Sequence, residues 1–550
     1  VSAFGISGTN AHVILEEAPL ADIGEPEEPL TAPDTDRPPH ALPWILSAKS
    51  VPALGEQAER LLSALEENSE VSAQEVGFSL ATTRSKLEHR AVIVGVERDD
   101  LMVGLRALAK GEIRSGVVRG SSGDSQVAWV FPGQGSQWVG MGVELLQRSR
   151  AFAERIAACE RALEPYTDWS LRAVLRSEPD APELDRVDVA QPVLWAVMVS
   201  LAQLWQSSGV QPSAVVGHSQ GEIAAACVAG GLSLEDGAKV VALRSQAIGR
   251  VLSGHGGMVS VALSREEVLT HLTRWDDRLS VAAVNGPGSV VVSGEPQALD
   301  ELLVLCEREN IRARRVPVDY ASHSAQVEKV REEVLRALDG ITPRSGTIPF
   351  RSTVTGDWLD TAELDAAYWY TNLRNTVEFE GAVSALLHQG YGVFIEVSPH
   401  PVLTVAVGDL VEEANGVVVG SLRRNDGGMD RMLLSLAEAF VRGVDIDWAG
   451  FFSGVRWVGL PTYAFQRERF WLESSGAAVN AEGLGVSAAG HPLLGAAVSL
   501  AGDGGALLTA RLSLDTHPWL ADHSVLGTAL LPGTALVELA VRAGDEVGCD

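Results

Sequence analysis

The sequence predicts a multidomain α/β protein, and three observations carry that expectation. At 550 residues the chain exceeds what one hydrophobic core usually serves. Ser213-Ala214-Val215-Val216 reads as a short buried strand, meets Gly217-His218-Ser219-Gln220-Gly221, and is followed by an Ala-rich run, Glu222 to Val228, suited to a helix. Farther on, Gly257 to Val318 follows the order βαββαβ of a ferredoxin-like unit.

The strand, the G-x-S-x-G turn and the helix together make a nucleophile elbow, which presents Ser219 above the strand ends at a helix N-terminus. Val127 to Gln137 is expected to be an apolar strand running into a Gly-rich loop, and Val316 to Ser324 a strand ending in a histidine. In the ferredoxin-like unit, Met258 to Leu263, Leu279 to Val284, Ser289 to Ser293 and Ile311 to Val318 read as strands. Ser264 to Thr273 reads as a helix opened by a serine cap with Glu266 and Glu267 behind it, and Gln297 to Glu309 as a second helix. Asn285-Gly286-Pro287-Gly288 is turn chemistry. The unit is expected to sit as an insertion in a larger α/β body, with the substrate site in the cleft between them.

Before the body, Leu20 to Pro39 is rich in Pro, Glu and Asp, a linker composition. From Leu42 to about Gly120, Trp44 to Ser47 and Arg90 to Val96 read as strands, and Val51 to Asn68 and Asp100 to Lys110 as helices. Glu473 to Gly490 is Gly/Ala/Ser-rich and expected to be flexible.

A serine hydroxyl is a poor nucleophile until a base takes its proton, and His323 is the best placed of the twelve histidines. His218 is expected to point away across the turn, and His255 sits among glycines. Arg244, on the helix expected over Glu235 to Ile248, has two readings: a cation ending in water, or a guanidinium that grips a carboxylate through two parallel hydrogen bonds.

FPGQGSQ (131–137), GHSQG (217–221), the arginine in VALRS (241–245) and YASH (320–323) occur in that order, and the chain from Val127 to about Leu422 resembles the acyltransferase domain of a bacterial modular type I polyketide synthase. The resemblance implies a large α/β-hydrolase-like subdomain with the ferredoxin-like one inserted. It gives these domains: ketosynthase tail 1–19, small α/β linker domain 20–125, acyltransferase 126–422, post-acyltransferase linker 423–489, and the first part of a hot-dog dehydratase 490–550. Phe4-Gly5 and Gly8-Thr9-Asn10 match the ketosynthase loop near its active-site mouth; His12 is not a catalyst in that pattern. Leu460 to Arg467 resembles a linker that wraps back over earlier domains. His523 fits the H-x-x-x-G-x-x-x-x-P pattern of a dehydratase base, with its aspartate partner expected beyond Asp550.

The implied chemistry is ping-pong acyl transfer. Ser219, deprotonated by His323, attacks an acyl-CoA thioester, and the thiol of a phosphopantetheinyl acyl carrier protein then takes the acyl group. The oxyanion would be held by the backbone N–H groups of Gln220 and Gln134. A main-chain carbonyl near Asn372 is expected to orient His323, with Asp319 as the residue-level alternative. Arg244 would bind the free carboxylate of an extender unit. Tyr320-Ala321-Ser322-His323 stands where malonyl-selective relatives carry His-Ala-Phe-His, so Ser322 leaves room for an α-methyl group. With Gln220 and the run Arg186 to Gln191, that resembles the methylmalonyl-type pattern, although Ala190 replaces the usual valine. Ethylmalonyl-CoA remains an alternative. No resident cofactor or metal is expected, and the full synthase is expected to be a homodimer.

A net charge of −29 argues against nucleic acid and anionic membrane surfaces as partners. No apolar run is expected to approach transmembrane length, and the N-terminus lacks a signal-peptide pattern, so a cytoplasmic location is expected. Cys159, Cys227, Cys306 and Cys549 are scattered, as free thiols in a reducing compartment would be. Two rival readings stand beside the transferase. A serine hydrolase or thioesterase would share the elbow, base and oxyanion hole; a scaffold segment with a degenerate acyltransferase is opposed by the intact Ser219, His323 and Arg244.

Overall fold

The computed structural model describes residues 2–4, 10–16, 41–412, 414–452, 454–468, 481–502 and 504–549. The linker expected over 20–39 and the Gly5 and Gly8-Thr9 positions lie outside the described residues, as does 473–480. The chain divides into two compact units, Val1–Phe465 and Gln466–Asp550.

In the first unit, Ser2–Phe4 pairs antiparallel with Asn10–His12. A small α/β domain follows. Its three-stranded antiparallel sheet runs Leu42–Ala48, His89–Gly95, Val117–Ser121, with Trp44 opposite Ile93 and fully buried. Helices Val51–Glu67, Ala73–Thr83 and Arg98–Ala109 complete it. Ser50 and Ser72 cap the first two, satisfying backbone donors that would otherwise lack partners, and Ser72 does so in a reciprocal capping box with Glu75. The helix Ala73–Thr83 and the strand Val117–Ser121 have no counterpart in the sequence reading. Leu460 to Ala464 does fold back over this domain. Arg84 Nη2 donates to the carbonyls of Leu460 and Pro461 at 3.0 and 2.9 Å, and Ala464 N–H donates to Gln57 Oε1 at 2.8 Å.

The body is a six-stranded sheet in the order Trp358–Leu359, Phe350–Arg351, Ala214–Gly217, Gln126–Phe131, Tyr391–Glu396, Val417–Gly420. All neighbours are parallel except the edge pair of Trp358–Leu359 with Phe350–Arg351. Chain order reverses beside Gln126–Phe131, so loops leave its two neighbours in opposite directions and open a crevice at the carboxyl ends. The body extends past the expected end at 422: helix Met429–Phe440 buries Met432, Leu433, Leu436 and Phe440 in the main core.

Helix Val187–Ser207 corrects the transmembrane expectation. It is long and apolar enough to cross a membrane, yet 89% of its apolar window is buried in the protein core. Asp188, Gln191, Ser200 and Gln203 interrupt its apolar run, which hides its length in the sequence.

The insertion is a four-stranded antiparallel sheet in the order Ala313–Val316, Gly257–Val261, Ser289–Gly294, Leu279–Gly286, with helices Arg265–Leu272 and Pro296–Arg308. This 4-1-3-2 arrangement is the ferredoxin-like topology. Ser264 and Glu267 form the expected capping box. The last strand stops at Val316 rather than running on to His323. Pro317 has no N–H to donate to a ladder, and the segment beyond it is irregular.

The second unit holds an antiparallel sheet of Ser487–His491, Leu494–Ser499 and Ala506–Thr509, a hairpin of Ser524–Val525 with Thr528–Ala529, and helix Gly533–Glu546. Ser487 to Gly490 is therefore strand, not part of a flexible stretch. His523 is exposed, and its Nδ1 lies 3.0 Å from the Leu530 carbonyl. Leu536, Val537 and Val541 on the helix are exposed too.

Candidate active site

Ser219 follows the central strand Ala214–Gly217 and precedes helix Gly221–Ala229. Its φ is +55°, a left-handed conformation rare for a residue with a side chain. The two glycines of the turn serve close approach rather than rotation. A Cβ on Gly217 would lie 2.3 Å from Glu222 N, and one on Gly221 would lie 2.0 Å from the Phe131 carbonyl oxygen. The strain therefore sits on the serine itself.

Ser219 Oγ lies 2.8 Å from His323 Nε2. His323 is also left-handed, with φ +58°, and its N–H donates to the Leu373 carbonyl at 2.9 Å. Its Nδ1 is 2.7 Å from the carbonyl oxygen of Asn375. The orienting carbonyl is thus that of Asn375, three residues beyond the expected Asn372. Asn372 lies inside helix Ala366–Arg374, whereas Asn375 caps it with extended ψ, which frees its carbonyl to turn toward the imidazole. Asp319 does not orient His323; its carboxylate accepts from Ser253 Oγ and Gly254 N–H. Burial drives the His323 pKa down to about 3, with His218 and Arg244 adding to the fall and the Asn375 carbonyl opposing it. The imidazole is neutral at physiological pH, the form a base requires.

His218 does face away from the serine hydroxyl. Its Nε2 is 2.8 Å from Asn285 Oδ1 of the inserted subdomain, and its ring meets Phe379 edge-on. The pairing ties the elbow to the far wall of the cleft.

Gly133 and Gln134 pass directly over the turn: a Cβ on Gly133 would lie 3.3 Å from the His218 carbonyl oxygen and 3.9 Å from Ser219 Cβ. Among the described residues, neither the Gln134 N–H nor the Gln220 N–H has an intramolecular acceptor. Gln134 is held through its side chain. Tyr320 Oη donates to Gln134 Oε1 at 2.9 Å and receives Gln191 Nε2 at 3.2 Å. Burial pushes the Tyr320 phenol up to about 12, so it remains a donor. Ser322 is buried in the same segment.

Arg244 does not end in water. It is only 1% exposed, on helix Leu234–Val251. Burial lowers its pKa to about 10, so it stays a cation. Nη1 donates to Asn372 Oδ1 at 2.6 Å, and Nε has no partner. Tyr320 and Glu222 nearby oppose the fall in its pKa, and among the described residues no carboxylate pairs directly with the guanidinium, which keeps one idle donor.

Sequence reasoning missed Asn375, Glu222 and the side-chain role of Asn372. Glu222 is fully buried, and only its place as a lone acid in the run Gly221-Glu222-Ile223-Ala224-Ala225-Ala226 could have signalled it. The four cysteines are free, and among the described residues no cluster of metal-ligating side chains occurs.

Three family models match: the acyl transferase domain over residues 128–446, the polyketide synthase dehydratase domain over 491–550, and the CurL-like polyketide synthase C-terminal region over 43–105. The whole chain is 55% identical to polyketide synthase GfsE of Streptomyces halstedii and 52% identical to mycoketide-CoA synthase of Mycobacterium tuberculosis, spanning 15% and 13% of their lengths. Among solved structures, the acyltransferase domain from module 8 of the salinomycin polyketide synthase is 53% identical, with a TM-score of 0.73, covering 74% of this chain and 97% of that one. The chain therefore belongs to the acyl transferase domain family, as the acyltransferase-bearing part of a modular polyketide synthase that continues into the start of a dehydratase domain.

Proposed function

We propose that this acyltransferase loads a methylmalonyl unit from CoA onto an acyl carrier protein through an acyl-serine on Ser219. The observation that carries the reading is a paired nucleophile and base beside a buried cation with an idle donor: Ser219 and His323 at 2.8 Å, and Arg244 with no carboxylate partner.

His323 Nε2 takes the hydroxyl proton as Ser219 Oγ attacks the thioester carbonyl. The unpaired N–H groups of Gln134 and Gln220 receive the oxyanion, already fixed in place by the strand-end loop and the elbow helix. Collapse of the adduct breaks the C–S bond, and His323 returns its proton to the departing CoA sulfur. The second half runs the same steps with the carrier's phosphopantetheine thiol as nucleophile and Ser219 as leaving group. Arg244 holds the substrate carboxylate, so the unit reaches the carrier without losing CO2. No resident cofactor is needed; CoA is substrate.

The small side chain of Ser322 and the Gln191–Tyr320–Gln134 chain support an α-methyl group rather than a bare methylene. Gln191 Oε1, both amide atoms of Gln220 and Arg244 Nε are among the buried polar atoms without partners, which leaves them free to bond a polar substrate. The thioesterase alternative gains nothing from the comparisons.

A competition assay tests the choice of unit. With equal methylmalonyl-CoA and malonyl-CoA and a carrier protein, transfer of methylmalonyl should exceed malonyl by about 10-fold to 100-fold, the range one methylene supports. Equal transfer, or a malonyl excess, contradicts the choice of unit. Free acid accumulating in place of carrier-bound product contradicts transfer.

A further inference from the structure

We propose that Glu222 is a positioning residue for the substrate arginine, acting through Asn372. The proposal rests on the reading of Arg244 as the carboxylate-binding group.

Glu222 is the first acid after the elbow and has no exposed surface. Its Oε1 accepts from Thr353 N–H at 2.6 Å and from Thr353 Oγ1 at 2.8 Å; its Oε2 accepts from Tyr368 Oη at 2.7 Å and from Asn372 Nδ2 at 2.8 Å. Thr353 N–H is an obligate donor, and with all four contacts donating to the carboxyl the set suits an ionised acceptor. Burial raises the carboxyl's pKa, and these four bonds oppose the rise.

The contact with Asn372 fixes which way that amide faces. With Nδ2 committed to Glu222 and to the Ser219 carbonyl oxygen at 3.2 Å, Oδ1 must point the other way, and there it accepts from Arg244 Nη1 at 2.6 Å. An asparagine flipped end for end would set its NH2 against the guanidinium, donor against donor. Glu222 thereby orients the guanidinium through one neutral residue. A carboxylate in direct contact with Arg244 would neutralise it and occupy the paired donors that an extender unit's carboxylate requires. One amide oxygen takes one N–H and leaves the charge available.

The test is steady-state transfer of methylmalonyl to a carrier protein by the full chain, comparing Glu222→Gln, Asn372→Ala and Arg244→Ala with the unaltered protein. Glutamine places an NH2 among the donors that now face Glu222, and alanine removes the link while leaving Glu222 its Thr353 and Tyr368 bonds. Both variants should raise KM for methylmalonyl-CoA about tenfold or more, in the direction Arg244→Ala raises it, with kcat changed less than about threefold. Thermal unfolding reports whether Glu222→Gln folds; if it does not, Asn372→Ala alone decides. A fall in kcat with KM unchanged in the folded variants would mark a merely structural role and overturn the inference, while a raised KM in Arg244→Ala kept the reading of the arginine. An unchanged KM in Arg244→Ala would instead overturn that reading.

Discussion

Ser219 and His323, 2.8 Å apart at Oγ and Nε2, both hold left-handed backbone conformations, with φ of +55° and +58°. Each arrangement strains an L-residue by about 1–2 kcal/mol. Each also aims a side chain that a relaxed backbone would direct elsewhere. The close approaches of Gly217 and Gly221 and the bond from His323 N–H to Leu373 hold the two residues in place.

The strain on Ser219 is separable from its chemistry. Ser219→Gly and Ser219→Ala both lose acylation, but glycine relieves the positive φ and alanine does not. Ser219→Gly should therefore be more stable than Ser219→Ala by about 1 kcal/mol in denaturant unfolding. Equal stabilities would place the strain elsewhere.

Gly221 is intolerant of any side chain. A Cβ there would lie 2.0 Å from the Phe131 carbonyl oxygen and 2.6 Å from that of Pro132. Gly221→Ala should lose about 3 kcal/mol, since both obstacles are backbone and neither can rotate aside. A loss below about 1 kcal/mol would mean that the loop over the elbow is free to shift.

His323 sets the pH response. Its pKa in the folded protein, about 3, lies below the ordinary histidine value. Acylation of Ser219 should therefore show no titration between about pH 8 and about pH 5.5, where an ordinary histidine base would lose most of its rate. Stability follows the same sign. Above about pH 6.5 neither folded nor unfolded chain binds this proton; below it only the unfolded chain does. His323 therefore destabilises increasingly as pH falls from about 6.5 toward its folded value, and His323→Gln should flatten that part of the stability profile. A rate that halves near pH 6.5 would contradict a buried neutral base.

Ser322→Phe should shift the ratio of malonyl to methylmalonyl transfer toward malonyl by about 10-fold to 100-fold, as the ring takes the space of the α-methyl group. The ratio is read with both CoA esters in one reaction. An unchanged ratio would move selectivity to other residues.

The legibility of the chain followed the kind of signal each feature leaves. The elbow, the ferredoxin-like order and the Ser264 cap were readable because periodicity, turn residues and a Ser-x-x-Glu box are local. The strand read over Val316 to Ser324 was not, because its β-branched start continues into irregular backbone after Pro317. Asn375 was invisible for a different reason: it orients His323 with a main-chain carbonyl, which any residue carries. Arg244 shows the limit of spacing. Its burial depends on packing between helices distant in sequence, and only the match to a family motif pointed to a site. Glu222 shows the same limit, since its four hydrogen bonds come from Thr353, Tyr368 and Asn372, all more than a hundred positions away.

The most direct measurement is intact-protein mass after brief incubation with methylmalonyl-CoA, beside a Ser219→Ala control. The account predicts one methylmalonyl adduct on the unaltered protein, none on Ser219→Ala, and loss of the adduct when a carrier protein bearing phosphopantetheine is added. An adduct that persists in Ser219→Ala, or one that added carrier protein cannot discharge, would contradict transfer through Ser219.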